Sequence, residues 1–460
     1  MQRCCHWTFF LLWALMTLPS SPARAQPLQD DNYSIDLHRG PVMGSTRIIG
    51  LGGAYSAVAE GTEGIPFNPA SVVNRAYFSR DKLDWSYVFD FLLPNGSGEG
   101  FDFDNNGRSS SKGAWPELVL GAHLQYGIWG IGVYGAFSLL KFESGGKSYT
   151  ANLVNVHLST GLAFWDHQLL VAVGFHGGSF ALSLEGDTND LFRTGATALE
   201  AGVLYRPRAL PLRLGAALTL PFANDTDLQC NQGCPQDVYL PQRATLPWEV
   251  RVGAAYYFGG RPFNPWPDFR GVSSGRSSSL LAGAGSAPAT RSGSSAPSSA
   301  PASLATSGPT STPATPASTP ASTPTSRATS RPFDADTDYG GGRYVMVSAE
   351  VVIVGTSASD AVGPDGFLDQ LQEPVGQMVV ISPRLGVESE VWRRRLRLRA
   401  GTYYEPSRYE GVSGRLHGTA SMLLRLFDFS LWGRRSLSFA PGVDLAARYF
   451  NVSVFLSFWH

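Results

Sequence analysis

The most regular signal in this chain is an alternation of apolar and polar side chains with a period of two, repeated in run after run. In "KLDWSYVFDFLL", Leu83, Trp85, Tyr87, Phe89 and Phe91 share one face, and Asp84, Ser86 and Asp90 share the other. "LVLGAHLQY" sets Leu118, Leu120, Ala122, Leu124 and Tyr126 against Gly121, His123 and Gln125. "LVNVHLSTGLAF" sets Val154, Val156, Leu158, Thr160, Leu162 and Phe164 against Asn155, His157 and Ser159. Successive residues of a strand point to opposite faces, so each run predicts a strand that is apolar on one side and polar on the other. The runs are about nine residues or longer, enough for a tilted strand to cross a bilayer, whereas soluble strands usually have about 5–6.

The same count along the chain predicts strands at 82–93, 116–126, 128–142, 149–164, 168–184, 195–206, 210–222 and 246–258. It continues at 343–354, 380–392, 395–405, 414–428, 434–448 and 451–459. Fourteen is an even number, as a bacterial barrel with both ends in the periplasm requires. The last run, "NVSVFLSFWH", ends the chain on an amphipathic strand with aromatics. The connectors at Gly127, Asp166-His167, Arg206 to Leu210 and Arg393-Arg394 are short and read as periplasmic turns. Those at 94–115, 185–194, 223–245 and 355–379 are longer and read as external loops. The expected fold class is all-β: a transmembrane antiparallel β-barrel of about 14 strands in the outer membrane, its wall formed by residues 81–258 and 343–460. Around Arg393-Arg394 the register pairs Trp392 with Arg395, Glu390 with Arg397 and Glu388 with Arg399, all facing inward because charges in lipid are costly.

Three further segments do not fit the alternation. Residues 1–25 combine Arg3, the apolar run Trp7 to Leu18 and a small-x-small site at Ala23-Arg24-Ala25, the pattern of a cleaved secretory signal. That apolar run is too short for a helix across about 30 Å of hydrocarbon. Residues 259–342 hold a Pro/Ser/Thr/Ala-rich tether; its stretch Val272 to Arg331 has no aromatic and no acidic residue and so cannot build a core. Strand parity puts it in the periplasm. Residues 26–80 centre on "RIIGLGGAYSAVAEGTEGIPFNPAS", a stretch that carries almost no charge and neither strand nor helix periodicity. A barrel of fourteen strands encloses more space than its own side chains fill, so this segment is expected inside it as a hatch tethered at the periplasmic mouth.

With the glycine run and Asn68-Pro69-Ala70 in view, the sequence resembles the FadL family of outer-membrane hydrophobic-compound transporters and the related PorV-type proteins. The resemblance covers the signal, the hatch and the fourteen-strand count; the tether and the Cys230–Cys234 loop depart from it. It implies passive uptake of hydrophobic small molecules, fatty-acid or hydrocarbon-like, past a movable hatch. It also implies lateral exit through the wall, with Gly50, Gly52, Gly53, Asn68, Pro69 and Ala70 at the hatch. The alternative it carries is a PorV-like scaffold or secretion accessory that anchors a periplasmic or surface protein. The third strand, "YGIWGIGVYGAF", has two readings. Gly130 and Gly132 either kink it into a lateral gap or make room for the hatch against an unbroken wall.

Composition narrows the rest. Lys and Arg total 36 and Asp and Glu 37, which gives no field to gather nucleic acid. Outer-membrane lipid and a hydrophobic ligand are the expected partners, with no cofactor. Gly177-Gly178 interrupts the fifth strand, so Phe180, Leu182 and Leu184 are candidates to turn inward toward a ligand, unless a glycine bulge restores their outward phase. Asp102, Asp104 and Asn106 have the spacing that opens a calcium loop, but Gly113 stands where a bidentate Glu belongs. Cys230 and Cys234 form a candidate disulfide in an oxidising compartment. "GLGGAY" lacks the third glycine of a nucleotide loop, the histidines are scattered singly, and no nucleophile–base pair stands out, so no enzyme is expected.

Overall fold

The computed structural model describes residues 26–75, 82–94, 102–108, 116–144, 147–185, 190–225, 227–228, 238–259, 263–264, 343–393, 395–430 and 434–459. The signal segment, Cys230 and Cys234, and the tether 265–342 lie outside the described residues.

Fourteen strands form the wall. They are β1 (Leu83–Pro94), β2 (Glu117–Tyr126), β3 (Trp129–Ser144), β4 (Lys147–Phe164), β5 (Leu169–Leu184), β6 (Asp190–Tyr205) and β7 (Leu212–Thr219). Then come β8 (Glu249–Gly259), β9 (Tyr344–Val354), β10 (Val380–Trp392), β11 (Leu396–Glu405), β12 (Arg415–Ser430), β13 (Arg434–Ala446) and β14 (Tyr449–Trp459). Each pairs antiparallel with its sequence neighbour, and β14 pairs with β1 to close the barrel. Closure leaves no open sheet edge, the condition for β-structure in hydrocarbon.

The alternation sorts the side chains as expected. On β1, Leu83, Trp85, Phe89 and Phe91 are exposed on the outer surface, while Val88, Asp90 and Leu92 are buried inside. Trp85, Tyr126, Trp129, Trp165, Tyr205 and Trp392 are exposed near the end of the short turns, where an aromatic girdle meets a membrane interface. An even-stranded barrel with an apolar outer band is a protein of the bacterial outer membrane.

The inward charge ladder is present: Glu388 lies opposite Arg399 and Glu390 opposite Arg397. Trp392, however, pairs with Leu396 and not with Arg395, because the register shifts between Glu390 and Trp392. The extra residue frees the Trp392 ring from the inward face of Glu388 and Glu390, and it stands on the rim, 62% exposed. Of the two readings of β3, the structure has the unbroken wall. Its rungs are unbroken from Trp129–Tyr126 to Ser138–Glu117 on one side and from Trp129–Leu162 to Ser144–Lys147 on the other. No lateral gap opens there.

At the mouth opposite the short turns, the barrel carries a lid. Ser34–Asp36 runs parallel to both Arg243–Leu246 and Ala361–Val362, and Phe222–Asp225 completes a four-stranded sheet. Gln26–Pro27 pairs with Leu371–Gln372, beside a short helix α2 (Pro364–Leu368). Beneath the lid Tyr33, Ile35, Phe180, Leu182, Phe192 and Phe367 form an apolar cluster. The described part of the N-terminal segment therefore runs from the lid to the mouth of the short turns, where it joins β1. It descends through helix α1 (Thr46–Gly50; numbered before α2 in chain order) and the 3-10 turns Thr62–Gly64 and Pro69–Val73. It leaves by Arg75, whose guanidinium donates to the Lys82 carbonyl just before β1.

Candidate functional site

Inside the barrel, residues 46–75 fold as a plug of short turns bonded through their own backbone, and side chains of the wall satisfy groups that the turns leave over. The Thr46 N–H donates to Asp90 Oδ2 (2.6 Å) at the start of α1. The amides of Tyr55 and Ser56 both donate to Glu350 Oε2, at 3.0 and 2.6 Å. Gln125 Nε2 donates to the Val72 carbonyl (2.7 Å). Irregular backbone inside a barrel would otherwise leave polar groups unpaired, so each of these wall residues fixes one turn of the plug.

Asn68 is the centre of the Asn-Pro-Ala motif. Its Nδ2 donates to the carbonyls of Ser56 and Val203, both at 2.9 Å, and its Oδ1 accepts from the Ala70 N–H (3.0 Å). Pro69, which has no N–H to lose, opens the 3-10 turn, and Ala70 is fully buried beneath β6. Gly52 has φ +59°, and a Cβ there would stand 2.9 Å from the Thr402 amide nitrogen of β11. Gly50 and Gly53 lie against Ser421 and Val42. On β3, a Cβ on Gly130 would come within 2.1 Å of the Val72 carbonyl oxygen, and one on Gly132 within 2.8 Å of Ile65. These two glycines let the plug touch the wall.

The plug is seated asymmetrically. One side is ionic: Arg47 pairs with Glu388 (3.2 Å), Glu60 (3.2 Å) and Glu63 (3.3 Å), and Glu388 also accepts from Arg399 (2.6 Å) and Tyr344 (2.6 Å). Glu60 is shared with Arg213 of β7 (2.7 Å). The other side has, among the described residues, no ion pair with the plug: Ile49, Ile65 and Val72 pack with Val88, Val119 and Phe455 of β1, β2 and β14, beside neutral or singly charged hydrogen bonds to Asp90, His123 and Gln125. In the sequence Asp90 and Gln125 stood only as members of a polar strand face, and Glu350 was not singled out. The one available signal is an acid or amide on the inward face of a strand, which says nothing of the plug backbone it meets.

Between plug and lid lie two small cavities, of about 140 and 160 Å³. Both are bordered by Arg39, Met43, Phe67, Glu249 and Arg251. Their charges are paired, Arg39 with Glu117 and Arg251 with Glu249. Phe180 and Leu182 face inward as continuous alternation requires, since β5 runs through Gly177 and Gly178 opposite β4 without a bulge. They are packed against the lid, Phe180 lying edge-on to Phe367 at 5.6 Å between ring centres. Leu184 packs at the border of the same cluster.

The calcium-loop residues sit in the external cap. Asp102 accepts from the Asn106 and Gly107 amides of its own loop, both at 2.9 Å, while Asp104 accepts from the Tyr409 hydroxyl. Asp365 of α2 lies near enough to Asp104 for the two carboxyls to influence each other. Burial first, and then the neighbouring carboxylates, push the Asp104 carboxyl well above the usual range and that of Asp365 up to about 7. Among the described residues, no three His, Cys, Asp or Glu side chains are placed to hold a metal ion.

No family model and no curated protein matches the chain. Among solved structures, it is similar to a CymD monoaromatic hydrocarbon channel, with a TM-score of 0.48 and 10% identity, over 91% of this chain and 97% of that one. It is similar to the Pseudomonas putida toluene transporter TodX with a TM-score of 0.43 and 11% identity, over 93% and 99% of the two chains. A CdiB from Acinetobacter baumannii aligns with a TM-score of 0.36 and 7% identity, over 80% of this chain and 59% of that one.

Proposed function

We propose that this outer-membrane barrel takes up small hydrophobic molecules passively, through a lumen gated by residues 46–75. The observation that carries the reading is the asymmetric seating of the plug. A hydrophobic molecule that has passed the lid can part the apolar contacts of Ile49, Ile65 and Val72 with β1, β2 and β14, together with the hydrogen bonds beside them such as Gln125 to the Val72 carbonyl, while the Arg47–Glu388 side stays anchored. Apolar contacts are non-directional and are replaced by the ligand's own, so parting them costs far less than breaking a buried ion pair. The apolar cluster beneath the lid supplies a first resting place. Fatty-acid and hydrocarbon-like molecules are both within this class.

The test is uptake of a fluorescent hydrocarbon probe into vesicles bearing the purified protein. Faster filling than in protein-free vesicles, slowed by a disulfide between cysteines placed at Ile65 and Val88, supports the reading. Filling no faster than in protein-free vesicles would leave the barrel as an anchor for a protein partner.

A further inference from the structure

On the side away from β5, strand β6 has no ladder partner over part of its length. Its rungs to β7 run from Tyr205–Leu214 to Glu200–Thr219, and above them, among the described residues, rungs recur only at Arg193–Asp227 and Phe192–Leu228. Between these, residues 194–199 are held by a bond from the Leu220 N–H to the Leu199 carbonyl (2.9 Å) and one from the Asn224 side chain to the Gly195 carbonyl (2.6 Å). The cause is legible in the chain. Pro221 has no N–H to donate, and there the strand turns inward, so that Phe222–Asp225 pairs with the lid strand Arg243–Leu246.

Phe222 fills the space behind the break. It is 8% exposed, lies edge-on to His176, and approaches Gly178 so closely that a Cβ there would meet its ring at 3.1 Å. Ala198, Phe180 and Phe192 continue from it as the apolar cluster under the lid. Outside the break Leu199, Leu218 and Leu220 are exposed on the lipid-facing surface. From Tyr205 at the girdle up to Gly195, at about 3.3 Å per residue and a tilt of about 45°, the rise is about 23 Å. That is the outer edge of an apolar band about 25 Å tall.

We propose that this break is a lateral crevice that admits the hydrocarbon chain of an outer-leaflet lipid into the cluster beneath the lid, with Phe222 as its stopper. The occupant follows from continuity: the opening lies on the lipid-facing surface, between leucines, and leads to aromatic and aliphatic side chains. Gly178, Gly195 and Ala198 keep it narrow, which suits an unbranched chain. The inference stands whether or not the protein transports anything.

The full-length protein is placed in dioleoylphosphatidylcholine vesicles containing a phosphatidylcholine with a diazirine in its acyl chain, irradiated, and its adducts mapped by mass spectrometry. Outward residues such as Leu199 will label in any barrel. The crevice predicts adducts also on inward Phe222, Ala198 or Phe192, and none on inward Tyr403 across the lumen. Phe222→Ala should raise inward labelling of Ala198 and Phe192 severalfold, and Phe222→Trp should lower it. Labelling confined to outward residues in wild type and in both variants overturns the proposal. If Phe222→Ala does not assemble, as judged by heat-modifiable gel mobility, the wild-type and Phe222→Trp maps decide alone.

Discussion

Asn68 uses both ends of one amide, tying two turns of the plug together and to the Val203 carbonyl of β6. Asn68→Ala strands the buried Ser56 and Val203 carbonyls and removes the cap of the 3-10 turn. A loss of about 1–3 kcal/mol in local stability is expected, read as faster hydrogen exchange at residues 56–72 with the wall unchanged. Aspartate cannot substitute, since its carboxylate has no N–H to donate to two carbonyls. Gly130 fails differently. A valine there drives its Cβ into the Val72 carbonyl, which is backbone and cannot swing away. Overpacking of this kind costs about 1–3 kcal/mol, and here the plug is the part that yields. Gly130→Val should therefore increase exchange and protease nicking within 60–75 while heat-modifiable mobility persists. A straightened β3 with an undisturbed plug would contradict the packing. The glycine run and Asn-Pro-Ala were legible in the sequence as a compact segment. Which wall atoms they meet was not, because each contact joins residues far apart in the chain, Gly52 to Thr402 among them.

At the scale of elements, the wall was the legible part, since its signal is local and repeats at every second residue. The predicted strands match those formed to within a few residues over most of their length. The exceptions are β6, which begins at Asp190 and not at 195, and β7, which ends at Thr219 where 222 was expected. Both lie where Pro221 pulls the chain off the wall. The lid could not be read in this way. Its strands are two to four residues long, too short to show a period, and their partners are as distant as Ile35 and Ala244. One lid contact carries a pH dependence. Asp365 of α2 and Asp104 of the first external loop are neighbouring buried carboxyls held above the ordinary value of 3.8, Asp365 at about 7. A carboxyl whose folded value is raised stabilises the fold fully below its unfolded value and loses that contribution as the pH rises through the folded one. Protection of 102–108 and 364–368, corrected for the intrinsic rate, should therefore fall from about pH 4 to about pH 7 and level off above that. Asp365→Asn should flatten the profile; a profile that stays steep would place the titrating group elsewhere.

For the whole molecule, what the sequence did not show is that the N-terminal segment reaches the lid as well as the periplasmic mouth. Composition and glycine content indicated something inside the barrel, and the periplasmic tether followed from the position of β1 alone. Short parallel pairing of Ser34–Asp36 with the lid strand Arg243–Leu246 makes lid and plug one continuous strand of chain, entering at one mouth and leaving at the other. The two closures can be separated by experiment. Deleting residues 47–71 removes the plug but leaves 72–82, which when extended at about 3.3 Å per residue span about 36 Å, enough to join the lid to β1 across the lumen. The wall should survive the loss. Asp90, Glu350 and Glu388, buried by the plug in the intact protein, would face water in an opened lumen, and a hydrated carboxylate needs no partner. Glycines left uncovered on β3 weaken that strand only modestly, by roughly 0.5–1 kcal/mol each relative to alanine. The deleted protein is therefore expected to keep heat-modifiable mobility and β-type dichroism while vesicles bearing it swell severalfold faster in a small sugar such as arabinose. Swelling at the rate of the intact protein, with the barrel assembled, would mean that the lid alone closes the lumen and that the plug serves to brace the wall.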